Sequence, residues 1–218
     1  KLPKKDSKIT DIWMEKEDGT YVLSGTAGIG PKHETSALDS LMSKLDKPEK
    51  LVILSDIKEG LKSNKRVKVK MGFDQHMGDL YPFTLNEKLA VITELDEWYT
   101  EENGNKSPWR KPIIPIEMIS VLTNFSGNPS NFSVKGPVIG LFANQEIKLF
   151  NGPLFVDEEY QIEKEIIALS QSKRVETYWC MTSVYDKENI LVAECLLNQA
   201  FLKDSYKNYE QELKDISG

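Results

Sequence analysis

The sequence predicts an α+β fold in which an antiparallel sheet packs against one buried helix. Four extended, strand-like segments follow one another within residues 136–203, joined by short polar turns. Neighbouring segments with such short connections pair most economically as antiparallel strands. Residues 116–122 come shortly before them and are apolar on nearly every side at helical spacing, so we expect this helix to be buried.

The predicted strands of this sheet cover residues 138–150, 160–169, 174–185 and 190–202. Asn151, Gly152 and Pro153 form a turn sequence that ends the first strand. Residues 186–189 have the length and the residue types of a hairpin connection between the last two strands.

This hairpin also predicts the neighbours of the only two cysteines. A two-residue turn at Lys187 and Glu188 places Cys180 directly opposite Cys195, whereas a register shifted by one residue places Met181 there. Two interpretations follow: a strained, reducible cross-strand disulfide, or two free thiols that behave as small apolar residues.

The remaining elements are predicted from shorter patterns. Residues 20–27 and 51–54 are expected to be short strands, the second of them buried. Apolar residues recur at helical spacing in two further segments, which predicts a helix over residues 34–45 and a terminal surface helix within residues 203–216.

Composition narrows the class of partner. The chain has 218 residues, 39% of them hydrophobic, which is enough for one large domain or two small ones. No apolar run approaches the roughly 20 residues that cross a bilayer, and a net charge of −6 argues against nucleic acid as the main partner. We therefore predict neither a membrane nor a nucleic acid as partner.

Two cysteines without a disulfide framework favour a reducing compartment, which predicts a cytoplasmic location. The first eight residues are basic but have no apolar segment behind them, so they are not expected to be a signal peptide. Because the chain opens on Lys1, the sequence leaves open that a leader was removed.

A basic strip lies in residues 58–70. It ends by alternating with apolar residues, which is typical of a solvated strand face; a second interpretation is a site for an anionic ligand, such as a phosphate-bearing cofactor. Its cations include Lys62, Lys65, Arg66, Lys68 and Lys70.

Residues 145–160 resemble the MaoC-like hot-dog family, in which a strand ends in a small-residue turn and the next begins after a short polar step. Ser107, Pro108 and Trp109, followed by residues 112–115, resemble the passage from loop to helix in that family. The resemblance covers roughly residues 80–203. It implies a hot-dog fold, an antiparallel sheet wrapped around a central helix, over residues 71–218. Residues 1–70 are then either a degenerate hot-dog half, giving a double hot-dog, or an extension.

The resemblance also implies a ligand class, the acyl thioesters of CoA or of acyl carrier protein. The hydratases of this family use the motif Asp-x-Asn-Pro-x-His, and residues 105–110 keep only its proline, Pro108. Asn105 stands at the Asp position and Arg110 at the His position, and neither side chain serves as a proton-accepting base. The resemblance still makes a dehydratase or hydratase one hypothesis. A thioesterase, a hot-dog enzyme with other chemistry and a non-catalytic ligand-binding or interaction protein are the others.

Other residues are candidates for catalysis. Glu117, in the first turn of the predicted helix, is either a surface cap or, if it faces the sheet, a general base. His76 with Asp79 is either a general-base pair or an exposed loop histidine with an unrelated neighbour. His33 and His76 are far apart and have no cysteine nearby, so no metal site is predicted, and no cofactor is expected.

Substrate binding is expected from the loop before the helix. Trp98, Tyr99 and Trp109 either simply pack there or, beside a pocket, hold an acyl chain or an adenine face. Asn105 and Arg110, at the former motif positions, are the polar candidates. The resemblance further implies a homodimer, because hot-dog domains commonly assemble through their sheets.

Overall fold

The computed structural model describes residues 8–29, 37–79, 81–92, 95–125 and 131–216. The chain divides into two compact units, residues 1–44 and 45–218. No helix in the described part is long and apolar enough to cross a membrane. Whether residues 1–70 are a degenerate hot-dog half or an extension stays a prediction.

The smaller unit contains a hairpin and a short helix. Strands β1 (Lys8–Glu15) and β2 (Tyr21–Ile29) pair antiparallel, and helix α1 (Ala37–Met42) follows. Gly19 adopts a φ of 80° in the hairpin turn, a conformation that glycine adopts without steric cost. The strand predicted at residues 20–27 is confirmed, and α1 lies inside the predicted helix, of which residues 34–36 lie outside the described part.

The larger unit is built on a five-stranded antiparallel sheet, and the four strands predicted for it are confirmed. Its spatial order is β3-β5-β6-β7-β4. The strands are β3 (Val67–Val69), β4 (Gly140–Leu149), β5 (Tyr160–Gln171), β6 (Val175–Tyr185) and β7 (Leu191–Leu202).

Three helices accompany this sheet: α2 (Leu85–Leu89), α3 (Ile116–Asn124) and α4 (Tyr209–Asp215). Short 3-10 turns occupy Glu97–Tyr99, Gly104–Lys106 and Lys203–Ser205. A capping box starts α2, because the Thr84 hydroxyl accepts from the Glu87 N–H while the Glu87 carboxylate accepts from the Thr84 N–H.

Helix α3 packs on one face of the sheet, which is called the inner face below. Met118, Ile119 and Leu122 are buried and join one core cluster with inward residues of the strands, such as Ile162 and Val184. The predicted burial of the helix holds for this side only. Ile116, on the opposite side, is 59% exposed.

A second core cluster lies on the same inner face and includes Ile53, Tyr178 and Phe201. Residues 51–54 belong to it, but the strand predicted there is wrong. They form turns, in which the Ile57 N–H donates to the Leu54 carbonyl at 2.9 Å.

Residues 51–54 form turns and not a strand because they bind the carboxylate of Glu176, which is 0% exposed. The N–H groups of Val52 and Leu54 donate to its two oxygens at 2.9 and 3.0 Å, and the Tyr209 hydroxyl in α4 donates to it at 3.0 Å. A carboxylate thus supplies the acceptors that a partner strand would otherwise supply.

The β6–β7 register differs from the prediction. Thr182 lies opposite Cys195, and Cys180 lies opposite Leu197, so the predicted pairing of the two cysteines is wrong. The connection spans residues 186–190 instead of two residues, with Asn189 at a φ of 64°. Both thiols are free and buried, as the second interpretation expects.

The basic strip forms ion pairs with acids on or beside β5. Lys62 contacts Glu165 at 3.1 Å, and Arg66 contacts Glu163 at 3.2 Å. Lys68 pairs with Glu159 at 2.7 Å. These contacts favour the solvated strand face over an anion site, because Lys62, Arg66 and Lys68 already pair with acids of the chain. Each exposed pair contributes only about 0–1 kcal/mol.

We predict that Glu176→Ala lowers the free energy of unfolding by roughly 3 kcal/mol or more, because two backbone N–H groups and one hydroxyl lose their buried acceptor. Urea unfolding followed by circular dichroism measures the change. Glu188→Ala, in the exposed β6–β7 turn, is the control and should stay within about 0.5 kcal/mol of wild type. Similar losses for the two variants would contradict the role given to Glu176.

Candidate functional site

The predicted catalytic residues are exposed and do not converge. Glu117 stands in the first turn of α3, and its side chain is 56% exposed and lies 3.2 Å from the Lys88 amine. It therefore points to solvent and not into the sheet. His76 and Asp79 are both exposed, and no hydrogen bond joins them in the described part of the chain. Their roles in catalysis stay predictions.

The predicted binding loop is held closely against the start of the helix. A Cβ on Gly104 would lie 2.4 Å from Cβ of Pro112, so only glycine allows this approach. The Ser107 hydroxyl donates to the Lys111 carbonyl at 2.7 Å and closes the turn. Arg110, inside that turn, has a φ of 56° and an exposed side chain.

The structure brings the loop aromatics together. The rings of Trp98 and Trp109 meet edge to face with centroids 6.2 Å apart, and Trp109 meets Phe155 at the same distance. Trp109 is 44% exposed, whereas Tyr99 packs against the core around α3. Asn105 is exposed. The loop thus presents an aromatic surface near the N-terminal end of α3.

A cavity of about 220 Å³ lies elsewhere, where α3 ends. The nine residues of α3 span roughly 12 Å along the helix axis, so the cavity and the aromatic loop are at opposite ends of the helix. Asn131 and Phe142 line the cavity and are exposed, which places its mouth beside them. The lining residues are Asn124, Asn131, Phe132, Val134, Phe142, Lys164, Tyr178, Cys180, Leu197, Gln199 and Phe201.

Lys164 reaches this cavity because of the strand period. Ile162, Lys164 and Ile166 alternate with half-buried polar residues along β5, so all three point to the inner face. Across β6, Lys164 lies opposite Thr182 and Ile166 lies opposite Cys180. Lys164 is 2% exposed, which is rare for a lysine without an acidic partner.

Two amides hold the amine of Lys164. Its Nζ donates to Oδ1 of Asn124 at 3.1 Å and to Oδ1 of Asn131 at 2.6 Å. Each amide is fixed by its other end, since Asn124 Nδ2 donates to the Ser120 carbonyl and Asn131 Nδ2 donates to the Phe125 carbonyl, both at 3.2 Å. The carbonyl oxygens must therefore face the amine. An ammonium has three N–H donors, and the third has no acceptor among the residues that the structure describes, so it is available to a ligand.

Burial dominates the electrostatics of the cavity. It lowers the pKa of Lys164 from its usual 10.5, because the ammonium is the form that desolvation penalises. It raises the pKa of Cys180 to about 11 and also raises that of Cys195, so both thiols are protonated at neutral pH and are poor nucleophiles. No described carboxylate contacts Lys164 or lines the cavity.

Lys164 is not among the site residues predicted from the sequence, although its position in β5 carries a signal. The residue is charged and occupies an inward-facing position between two isoleucines of a strongly alternating strand. Such a residue conflicts with the strand pattern, and buried ionisable residues are enriched at functional sites.

We predict that replacing Lys164 changes how stability depends on pH. Between the lowered pKa and 10.5 the unfolded chain binds more protons than the folded chain, so this lysine makes stability rise with pH across that window. Below the window, the full cost of burying the ammonium is present. The stability of Lys164→Met relative to wild type should therefore be highest at neutral pH and fall towards pH 10.5.

Urea unfolding of both proteins at several pH values measures this difference. Lys173→Met, which removes an exposed lysine, is the matched control for the loss of one charge. A difference between Lys164→Met and wild type that stays constant with pH would contradict the prediction.

This chain is similar to known proteins in its fold. The sequence matches no protein-family model and no curated protein. Among solved structures, it is similar to the monoamine oxidase regulatory protein from Archaeoglobus fulgidus, with a TM-score of 0.51 and 14% identity over 69% of this chain and 94% of that chain. It is also similar to a MaoC-like dehydratase from Rhodospirillum rubrum, with a TM-score of 0.47 and 13% identity over 69% and 97% of the two chains.

A third similar structure is the (R)-hydratase from A. caviae, with a TM-score of 0.41 and 14% identity over 66% of this chain and 96% of that chain. At such identities, the likeness is one of fold. The predicted α+β hot-dog fold is thus confirmed. The resemblance to MaoC-like hot-dog proteins, from which this fold was predicted, is confirmed at the level of the fold.

Proposed function

We propose that this hot-dog protein binds a small acyl ligand, such as the acyl group of a thioester, in the cavity beside Lys164. The observation that carries the proposal is the buried amine of Lys164, which two fixed amides hold at the wall of a largely apolar cavity. Ligand sites commonly combine apolar walls with a few well-placed polar groups.

The wall residues fit the two parts of an acyl group. Phe132, Val134 and Leu197 offer apolar surface to a hydrocarbon chain, and each Å² removed from water contributes about 25 cal/mol. The remaining N–H of Lys164 is a donor for the acyl oxygen. A volume of about 220 Å³ is below the ~300 Å³ of small drug-sized pockets, so a CoA or acyl-carrier-protein carrier would stay outside the mouth.

An enzyme is the second candidate function. The contact between Trp98 and Trp109 favours it, because this aromatic surface belongs to the loop whose passage into the helix resembles that of the MaoC-like family. In this reading Glu117, or His76 with Asp79, is the base of a dehydratase, hydratase or thioesterase. The substrate is then held by Asn105, Arg110 and the loop aromatics, including Tyr99. The cavity lining contains neither an acid nor a histidine, which supports the non-catalytic reading.

A homodimer is part of the proposal. Strand β4 is one of the two edges of the described sheet, and Leu141, Phe142 and Leu149 on it are 50%, 59% and 42% exposed. A long edge strand with exposed apolar side chains is suited to pairing with another chain. The cytoplasmic location expected from the two cysteines also belongs to the proposal.

Native mass spectrometry with a panel of short acyl-CoA thioesters tests binding and assembly together. We expect the protein to have twice the mass of one chain and to retain the thioester as an adduct. A change in the mass of the ligand reports hydration, dehydration or cleavage. Val134→Trp, which fills the cavity, should abolish the adduct, whereas Val91→Trp at a 68% exposed position should keep it. An unchanged adduct in Val134→Trp would place the ligand elsewhere, and a monomer mass would remove the dimer.

Catalysis is tested separately. If wild type converts a thioester, Glu117→Gln or His76→Ala should reduce turnover at least about 100-fold with folding retained, since a general base contributes 10²–10⁴-fold. Steady-state rates on the converted substrate measure this loss. Unchanged rates in both variants would reject these two bases.

A further inference from the structure

We infer that the ligand of this cavity is a small carboxylic acid, bound as its carboxylate in an ion pair with Lys164. The inference rests on the proposed function, because it names the chemical class of the acyl ligand. A carboxylate ligand carries a negative charge, whereas a thioester carbonyl is uncharged. The inference therefore adds a charge to the proposed ligand.

The charge of the buried Lys164 ammonium has no described counterion. A buried charge is normally paired with an opposite charge, since desolvation costs several kcal/mol. The Nζ of Lys164 has only two neutral amide oxygens as described partners, and no described carboxylate contacts it. Residues 126–130, which connect Phe125 with Asn131, contain no Asp or Glu in their sequence. An anionic ligand would supply the missing charge.

The amide of Gln199 is a second donor on the cavity wall. The Tyr178 hydroxyl donates to Oε1 of Gln199, which orients that amide. Burial raises the pKa of Tyr178, so its hydroxyl keeps the proton that it donates. The Nε2 group of Gln199 has no described acceptor, and both Gln199 and Lys164 line the cavity. A ligand with acceptor oxygens, such as a carboxylic acid, suits a cavity whose wall carries two such donors.

The remaining walls determine the rest of the ligand. Phe132, Val134 and Leu197 are apolar, and the thiol of Cys180 behaves as a small apolar group. The cavity therefore suits a short aliphatic or aromatic chain behind the carboxylate. A dicarboxylate would bury a second charge against these residues without a partner.

Isothermal titration calorimetry with matched ligands tests the inference. Hexanoate and hexanamide have nearly the same size and shape but differ in charge. We expect wild type to bind hexanoate on the order of tenfold more tightly than hexanamide, or better, since only the anion pairs with the ammonium. Lys164→Met should lose this preference, and Lys173→Met, at an exposed position, should keep it.

The comparison of the two ligands on wild type requires no variant, so it decides the question even if Lys164→Met does not fold. Equal affinities for hexanoate and hexanamide would overturn the inference, as would a preference for hexanoate that survives in folded Lys164→Met. If acyl-CoA thioesters bind wild type in this cavity and hexanoate does not, the inference fails while the proposed function stands. If none of these ligands binds, both fail.

Discussion

The larger unit depends on a buried carboxylate that accepts three hydrogen bonds. Glu176 is fully buried on the inner face of the sheet, and it binds the N–H groups of Val52 and Leu54 and the hydroxyl of Tyr209. One side chain thus connects β6 with the last helix and with a turn that lies more than a hundred residues before Glu176 in the sequence. Because a buried backbone N–H without an acceptor is costly, the turn is specified by this carboxylate as much as by its own apolar residues.

Lys164 is the complementary case on the same face. Its amine is desolvated, and its described partners are neutral amides, which compensate only part of the cost of burial. Asn124 is the last residue of α3, so the amine that it binds lies near the C-terminal end of this helix, where the helix dipole favours a cation. Three described donors bind the Glu176 carboxylate, whereas the described acceptors of the Lys164 amine are two neutral oxygens. The first arrangement is structural, and the second is the basis of the proposed ligand site.

Helix α3 separates two chemically different surfaces. The aromatic loop with Trp98 and Trp109 lies near its start, and the cavity lies where it ends. A shared fold does not by itself transfer an activity. In this chain, residues 105–110 lack an acid and a histidine, and the buried amine of Lys164 lies at the other end of the helix.

The sequence by itself determined four strands of the larger sheet and the central helix, because alternation, helical spacing and turn residues are local signals. Thus the four strands after residue 136 and the helix starting at Ile116 were predictable. Tertiary structure paired β4 with β7 and not with its sequence neighbour β5, and it decided the β6–β7 register, where the longer connection and a register shift between Val184 and Tyr185 together place Thr182 opposite Cys195. It also decided that residues 51–54 bind Glu176 instead of a strand, and that Lys164 meets Asn124 and Asn131 at the wall of a cavity. These contacts join residues 33 to 124 positions apart, and no local pattern encodes which distant partner satisfies a buried polar group.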